Sequence, residues 1–373
     1  MGAITRGIAN NILGNGAVDG TDALTGTIPA TNIGNPSLAN LTTFPPSVDG
    51  GIPQVAGDPP APSDGDVWYN TNTYKLKVRG VSAALGTWAT GGNLNTGRNN
   101  LGGAGVDNTS ALVFGGHNDP PYFTNTESYN GTSWTEVNDL NTAVGINSGT
   151  GTQTSALSMA GEQVSGNTAQ VESWNGTSWT TTTSLNAARR DIWPAGSDNT
   201  SALATGGRTP AAVGTRACEQ WNGSTWTEVN DINDTKTRYG GAGNGTVTSA
   251  LISGGYSVPT TRTTDTESWN GTSWTEVSDL NNVVSGNQGA GADNTSALSY
   301  GGSGAAPTYS PTTQTELWNG TSWTVTSSMS TARGGNAGNG TTSSAFSAGG
   351  NTPPRAQTEE WNAGAGNLNV DLA

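Results

Sequence analysis

One histidine, His117, and one cysteine, Cys218, are all that the 373 residues carry of the side chains most used for metal ligation and nucleophilic chemistry. That shortage excludes an intrachain disulfide and a histidine-rich metal centre built from this chain alone. Cationic side chains are few as well: 14 Lys and Arg stand against 28 Asp and Glu, a net charge of −14. Nucleic acid is therefore not an expected partner, because phosphate binding needs clustered cations. No apolar run is long enough to cross a bilayer, so no membrane insertion is expected. The start Met1-Gly2-Ala3-Ile4-Thr5-Arg6 lacks the charged-then-apolar order of a signal peptide, and Arg6 occupies the hydroxyl position of a myristoylation motif.

Charged residues make up only 11% of the chain and apolar residues 32%, which leaves little material for amphipathic helices. Abundant instead are Gly, Thr, Ser and Asn, with 55 Gly and 17 Pro for turns and 13 Trp for a core. This composition favours strands and turns, so the expected class is all-β. A chain this polar would read as disordered if it were not periodic.

The period is carried by two phrases. Thr-Ser-Ala-Leu and its variants place a large residue at Leu112, Leu157, Leu203, Leu251, Leu298 and Phe346, every 45 to 48 residues. Trp-Asn-Gly-Thr-Ser-Trp and its variants fall between them. Self-similarity at this period in a β-type sequence predicts six propeller blades of four strands each. Within each blade, a glycine-rich stretch such as Gly102–Gly105 predicts the innermost strand, where side chains must be small. The Thr-Ser-Ala-Leu strand follows and ends at a small-Gly pair. A third strand ends at Tyr129, Trp174, Trp221, Trp269, Trp318 or Trp361, and a fourth opens near Trp134, Trp179, Trp226, Trp274 or Trp323. Asn-Gly between them predicts a two-residue type I′ hairpin turn. These turns also match the glycosylation sequon, but a tight turn repeated in every blade accounts for them without a glycan.

The sixth unit lacks its outer strand, because Trp361 is followed by Asn362-Ala363. The missing phrase stands at the other end, in Gly86-Thr87-Trp88-Ala89-Thr90. Trp88 is thus predicted to close the ring against the Trp361 blade, which removes an exposed edge. The glutamates Glu127, Glu172, Glu219, Glu267, Glu316 and Glu360 precede the third-strand aromatic in every blade, a repetition that points to structure.

The glycine pair, the aromatic ending strand three, the polar turn and the Trp opening strand four resemble kelch repeats over about residues 86–373. Kelch-like propellers host oxidases, adaptors and adhesins alike. Ahead of them, residues 1–63 read as an extended anchor and linker, and 64–85 as a short hairpin neck. Thr25-Gly26-Thr27-Ile28-Pro29-Ala30-Thr31-Asn32-Ile33-Gly34 resembles short β-rich stretches of bacteriophage fibre proteins. Asp64-Gly65-Asp66-Val67-Trp68-Tyr69-Asn70-Thr71-Asn72-Thr73-Tyr74-Lys75-Leu76-Lys77-Val78 resembles a hairpin phrase of the same proteins. The resemblance implies a virion protein, a tail fibre or surface appendage. Residues 1–85 would join other virion proteins, the propeller head would contact a host-surface glycan or protein, and a homotrimer is compatible with it. Capsid or tail decoration without receptor recognition, and polysaccharide degradation, are the alternatives.

Topology separates the two faces of such a disc. First-to-second and third-to-fourth turns share one face and are uniform; the longer, divergent loops 117–126, 162–170, 208–217, 256–265, 303–314 and 351–357, joined by linkers such as 183–193 and 230–239, share the other, where function is expected. Contact candidates there are Tyr122, Phe123, Arg189, Arg190, Trp193, Arg238, Tyr239, Tyr256 and Tyr309, since aromatic faces and Arg forks suit sugars and protein surfaces. With one histidine and carboxylates repeated in all blades, no catalytic residue, cofactor or metal is expected, and the chain is expected not to be an enzyme.

Overall fold

Tryptophan decides the architecture, because rings as large as these must find both apolar cover and a partner for the indole N–H. In the computed structural model, which describes residues 54–57, 67–72, 75–81, 86–118, 121–237, 240–241, 245–257, 261–306, 308–363 and 367–369, most of them do so at the seams of a six-bladed β-propeller. Among the described residues there is no helix.

Blade 1 is typical: innermost strand Gly102–Asp107, then Ser110–Phe114, Thr126–Tyr129 and outer strand Trp134–Val137, paired antiparallel in that order. Blades 2 to 5 repeat it, with innermost strands Ser148–Thr152, Trp193–Asp198, Gly240–Gly241 and Gln288–Asp293. Blade 6 takes Ala337–Gly340, Ser344–Ala348 and Thr358–Asn362 from the end of the propeller and Thr87–Thr90 from its beginning. Trp361 pairs with Trp88 in register, so the ring closes through an N-terminal strand.

The core lies between blades. Third-strand Trp174, Trp221, Trp269, Trp318 and Trp361 donate from Nε1 to turn carbonyls of their own blades, at 2.8–3.0 Å. Each stacks at 5.3–5.6 Å on the outer-strand tryptophan of its blade. The outer-strand rings reach backwards. Trp134, Trp179, Trp323 and Trp88 donate to the threonine hydroxyls of Thr358, Thr126, Thr266 and Thr315 in the preceding blade. In blade 3 the corresponding threonine is Val171, and Trp226 turns to the carbonyl of Thr183. In blade 4 it is Cys218, and the buried Trp274 Nε1 has no partner.

The Asn-Gly connections differ from the expected two-residue turns. Tyr129 pairs with Trp134, which leaves a four-residue loop, and only the glycine has positive φ, +85° at Gly131. The asparagine works through its side chain: Asn130 Oδ1 accepts from Thr132 N and Ser133 N. Four more blades repeat this. An Asx-turn, satisfied by the side chain, thus takes the place of a second residue with positive φ.

A separate unit holds the described residues before and after the propeller. Val67–Asn70 and Lys75–Val81 form the hairpin, flanked in the same sheet order by Gln54–Val55 in parallel and by Asn367–Asn369. The propeller therefore ends near residue 364 rather than at 373, because Asn367–Asn369 finds its ladder partners at Arg79–Val81. The phrase at 25–34 lies outside the described residues.

Candidate functional site

Each blade's ladder breaks where the second strand meets its small-Gly pair, and the break builds the loop face. The second glycine donates its N–H to the linker of the next blade: Gly116 to Val144 O, Gly161 to Arg189 O, Gly207 to Lys236 O, Gly255 to Val284 O, Gly302 to Arg333 O and Gly350 to Arg98 O. The last of these crosses the closing seam. Positive φ at these glycines makes the bond geometrically possible; in blade 2 the first position of the pair is Ala160, held at +56°.

Beyond the break the ladder resumes. His117 bridges Asn99 and Tyr122, Glu162 bridges Gly145, Arg208 bridges Arg190 and Gly214, and Ser303 bridges Ser285 and Pro311. Tyr256 pairs likewise with Thr237 and Arg262. The residue after the glycine pair is thus pinned in the same place in blade after blade while its chemistry changes: His117, Glu162, Arg208, Tyr256, Ser303 and Asn351.

Beneath this face, a buried carboxylate in strand three of every blade accepts backbone N–H groups of the incoming linker, as Glu127 does from Asn95 N at 2.7 Å. In blade 6 this residue is Glu359, bonded to Ser330 N and Thr331 N, rather than Glu360. Glu360 instead accepts from the Tyr129 hydroxyl. The phenol is pushed up to about 12, chiefly by burial and then by that carboxylate. Four of the six carboxylates carry a buried cation: Arg98–Glu127, Arg189–Glu219, Lys236–Glu267 and Arg333–Glu359, at 2.9, 2.7, 3.5 and 2.8 Å. Burial pulls these guanidinium groups below their ordinary value, while the glutamates pull back. In blades 2 and 5 the cation position holds Val144 and Val284, and the amides of Gln170 and Asn282 serve Glu172 and Glu316 instead.

Arg189 is therefore a brace between linker and blade, fully buried, and not a contact residue as expected from sequence. Trp193 is corrected too. It opens the innermost strand of blade 3 and packs in the cluster with Ile232, Ile252 and Trp269. Arg238 and Tyr239 lie outside the described residues. Phe123 is half-buried, its backbone bonded to Gly116 and Val144.

The remaining candidates gather in two places on opposite sides of the ring. Between blades 1 and 2, a cleft of about 460 Å³ is lined by Pro121, Tyr122, Ala143, Glu162, Gln163, Val164 and Gly166. Glu162 pairs with Arg190, whose Nε lies 3.8 Å from Asp191 Oδ2. The Tyr122 ring meets His117 edge-on at 5.7 Å, and His117 Nε2 lies 2.9 Å from Asn100 Nδ2. Both rings lie against the linker at Gly145, where a Cβ would come within 2.8 Å of each. Between blades 4 and 5, Tyr256 pairs across to Arg262, whose guanidinium sits 4.0 Å over the Tyr309 ring and whose Nε donates to Ser285 Oγ at 2.7 Å. Glu162 and Arg262 were not singled out from sequence. Aligning the blades on the glycine pair marks Glu162 directly, as the residue after it.

No family model matches the chain, and no curated protein matches it. Among solved structures it is similar to the one titled "Structure of YjhT", with a TM-score of 0.59 at 13% identity, covering 72% of this chain and 95% of that one. The likeness is one of fold. Because a propeller frame carries catalytic loops as readily as adhesive ones, the expectation that the chain is not an enzyme, which took the propeller for a binding head by default, does not stand. Glu162, in the cleft, is a carboxylate outside the repeated, buried set.

Proposed function

We infer that this is a kelch-like virion protein of a bacteriophage, a tail fibre or surface appendage, whose loop face contacts a glycan or protein of the host surface. The observation that carries the reading is the asymmetry of the disc. One face repeats the same short turns; the other pins six chemically different residues at equivalent places and displays Val164, Val213 and Tyr309 to solvent. Variation held on a rigid frame is what recognition requires. The hairpin phrase before the propeller supports the virion assignment, with residues 1–85 joining neighbouring virion proteins and the propeller facing outwards.

The test is attachment. Labelled full-length protein titrated onto cells of the bacterium that the virus infects should bind saturably, and unlabelled protein should compete. Linear, non-saturable uptake would instead favour a decorating role on the particle. A second reading is supported by Glu162: the loop face processes the glycan it meets. Oligosaccharide released from host envelope material, and lost in Glu162→Gln, would establish it.

A further inference from the structure

The dipeptide Asn-Gly stands at six places among the described residues, and the fold treats one of them differently from the other five. Asn130, Asn175, Asn222, Asn270 and Asn319 open the third-to-fourth loops of blades 1 to 5 and are exposed. Asn339 is 1% exposed and lies in the innermost strand of blade 6, Ala337–Gly340. The pair is chemically distinctive because glycine, without a Cβ, leaves its main-chain nitrogen open to the side-chain amide of the residue before it.

In the five loops that amide is already curled along the peptide link to glycine. Each Oδ1 accepts from the N–H groups two and three residues on, at 2.9–3.0 Å. Each glycine is held at φ between +85° and +92°, and among the described residues its N–H donates to no acceptor. The two donors are also aimed at the atom that gains charge. When a nucleophile adds to Cγ, Oδ1 becomes an oxyanion, and main-chain N–H groups already in place stabilise such an oxygen. Proximity and charge stabilisation therefore act on the same bond.

At Asn339 the arrangement is reversed. Gly340 N itself donates to Asn339 Oδ1 at 2.9 Å, so its N–H is directed at the oxygen rather than at Cγ. The residue is paired with Phe346 inside the sheet, where burial keeps solvent base away.

We propose that the five exposed Asn-Gly turns are sites of spontaneous deamidation, and that Asn339 is not. Solvent base takes the glycine N–H proton, the nitrogen bonds to Cγ, and the Cγ–Nδ2 bond breaks to release ammonia, leaving a cyclic imide. Water then opens the imide at either carbonyl, giving aspartate or isoaspartate. One water is consumed, one ammonia leaves and nothing is oxidised. An aspartate keeps the turn, since a carboxylate accepts from the same two N–H groups more strongly than an amide does. Each conversion adds a negative charge to the turn face of a chain that already carries −14, and leaves the loop face as it was.

The test is to hold the full-length protein at pH 8.5 and 37 °C, folded and in urea, and to follow each asparagine by peptide mapping with mass spectrometry. In the folded chain, Asn130, Asn175, Asn222, Asn270 and Asn319 should convert at least tenfold faster than Asn339 and faster still as pH rises. Isoaspartate should be among the products, as the signature of the imide. In urea, Asn339 should convert as fast as the other five. The proposal is wrong if the five stay amides in the folded chain while the unfolded chain converts them. It is equally wrong if folded Asn339 keeps pace with them, or if aspartate forms without isoaspartate.

Discussion

The two faces of the disc are built from the same repeat and treat it oppositely. On the turn face, blades 1, 3 and 5 lock to their neighbours through side chains: Asn108, Asn199 and Asn294 donate to main-chain carbonyls of the preceding blade at Trp361, Trp174 and Trp269. On the loop face the main chain does that work, through the second glycine of each pair, and the side chains after it are released to vary. Where interlocking is assigned to side chains, sequence is fixed; where it is assigned to backbone, sequence is free. That division explains how a ring of near-identical blades can carry one distinctive surface.

The largest test of the interlocking half is at the seam. Trp88 is buried, stacks on Tyr300 and Trp361 at 4.9 and 5.6 Å, and bonds Thr315 in the preceding blade. Trp88→Ala should cost about 3–5 kcal/mol in urea unfolding, because it leaves a cavity where the ring is closed by non-covalent pairing alone. Nearly as large is Arg98→Val, which copies blade 2 at the cation position and strands Glu127 without its guanidinium, at about 3 kcal/mol. Blade 2 also shows the remedy. Adding Asn125→Gln, the counterpart of Gln170, should recover a substantial part of that loss by the same measurement.

A smaller effect, of opposite sign, is expected at Cys218. This residue stands where four other blades have a threonine and leaves Trp274 Nε1 buried and unpartnered. Cys218→Thr should therefore stabilise by about 1 kcal/mol, read as a rise in melting temperature. In the parent protein, burial pushes the thiol up to about 11. A folded value above the unfolded one means the thiol's contribution is complete below about pH 8.5 and is lost as pH rises towards 11. Iodoacetamide at pH 8 should leave Cys218 unmodified in the folded chain and alkylate it in urea.

Most of the fold was legible because the repeat encodes its own strand boundaries. Tryptophan at both ends of the third-to-fourth loop fixed its pairing, and the unmatched Trp88 phrase marked the seam. The site was less legible, and the reasons are physical. Arg189 and Trp193 look like surface residues in a loop, yet the linker carrying them is drawn inwards by the Glu219 carboxylate and by the innermost strand. A blade-by-blade comparison shows arginine, valine, arginine, lysine, valine and arginine at one linker position, a cation recurring where only a buried carboxylate could require it. Glu162 escaped notice for the reverse reason. The loop lengths differ, and its equivalence to His117 and Tyr256 emerges only when the glycine pairs are superposed.

The claim that recognition belongs to the loop face alone has one direct measurement. Two triple variants place lysines at exposed positions, Thr132→Lys, Thr177→Lys and Thr272→Lys on the turn face, and Val164→Lys, Val213→Lys and Tyr309→Lys on the loop face. Both should melt close to the parent, since exposed sites shift stability by about 0.5 kcal/mol or less. Titrated onto host cells, the turn-face variant should bind as the parent does and the loop-face variant at least tenfold more weakly; the reverse order, or equal loss from both faces, would contradict the account.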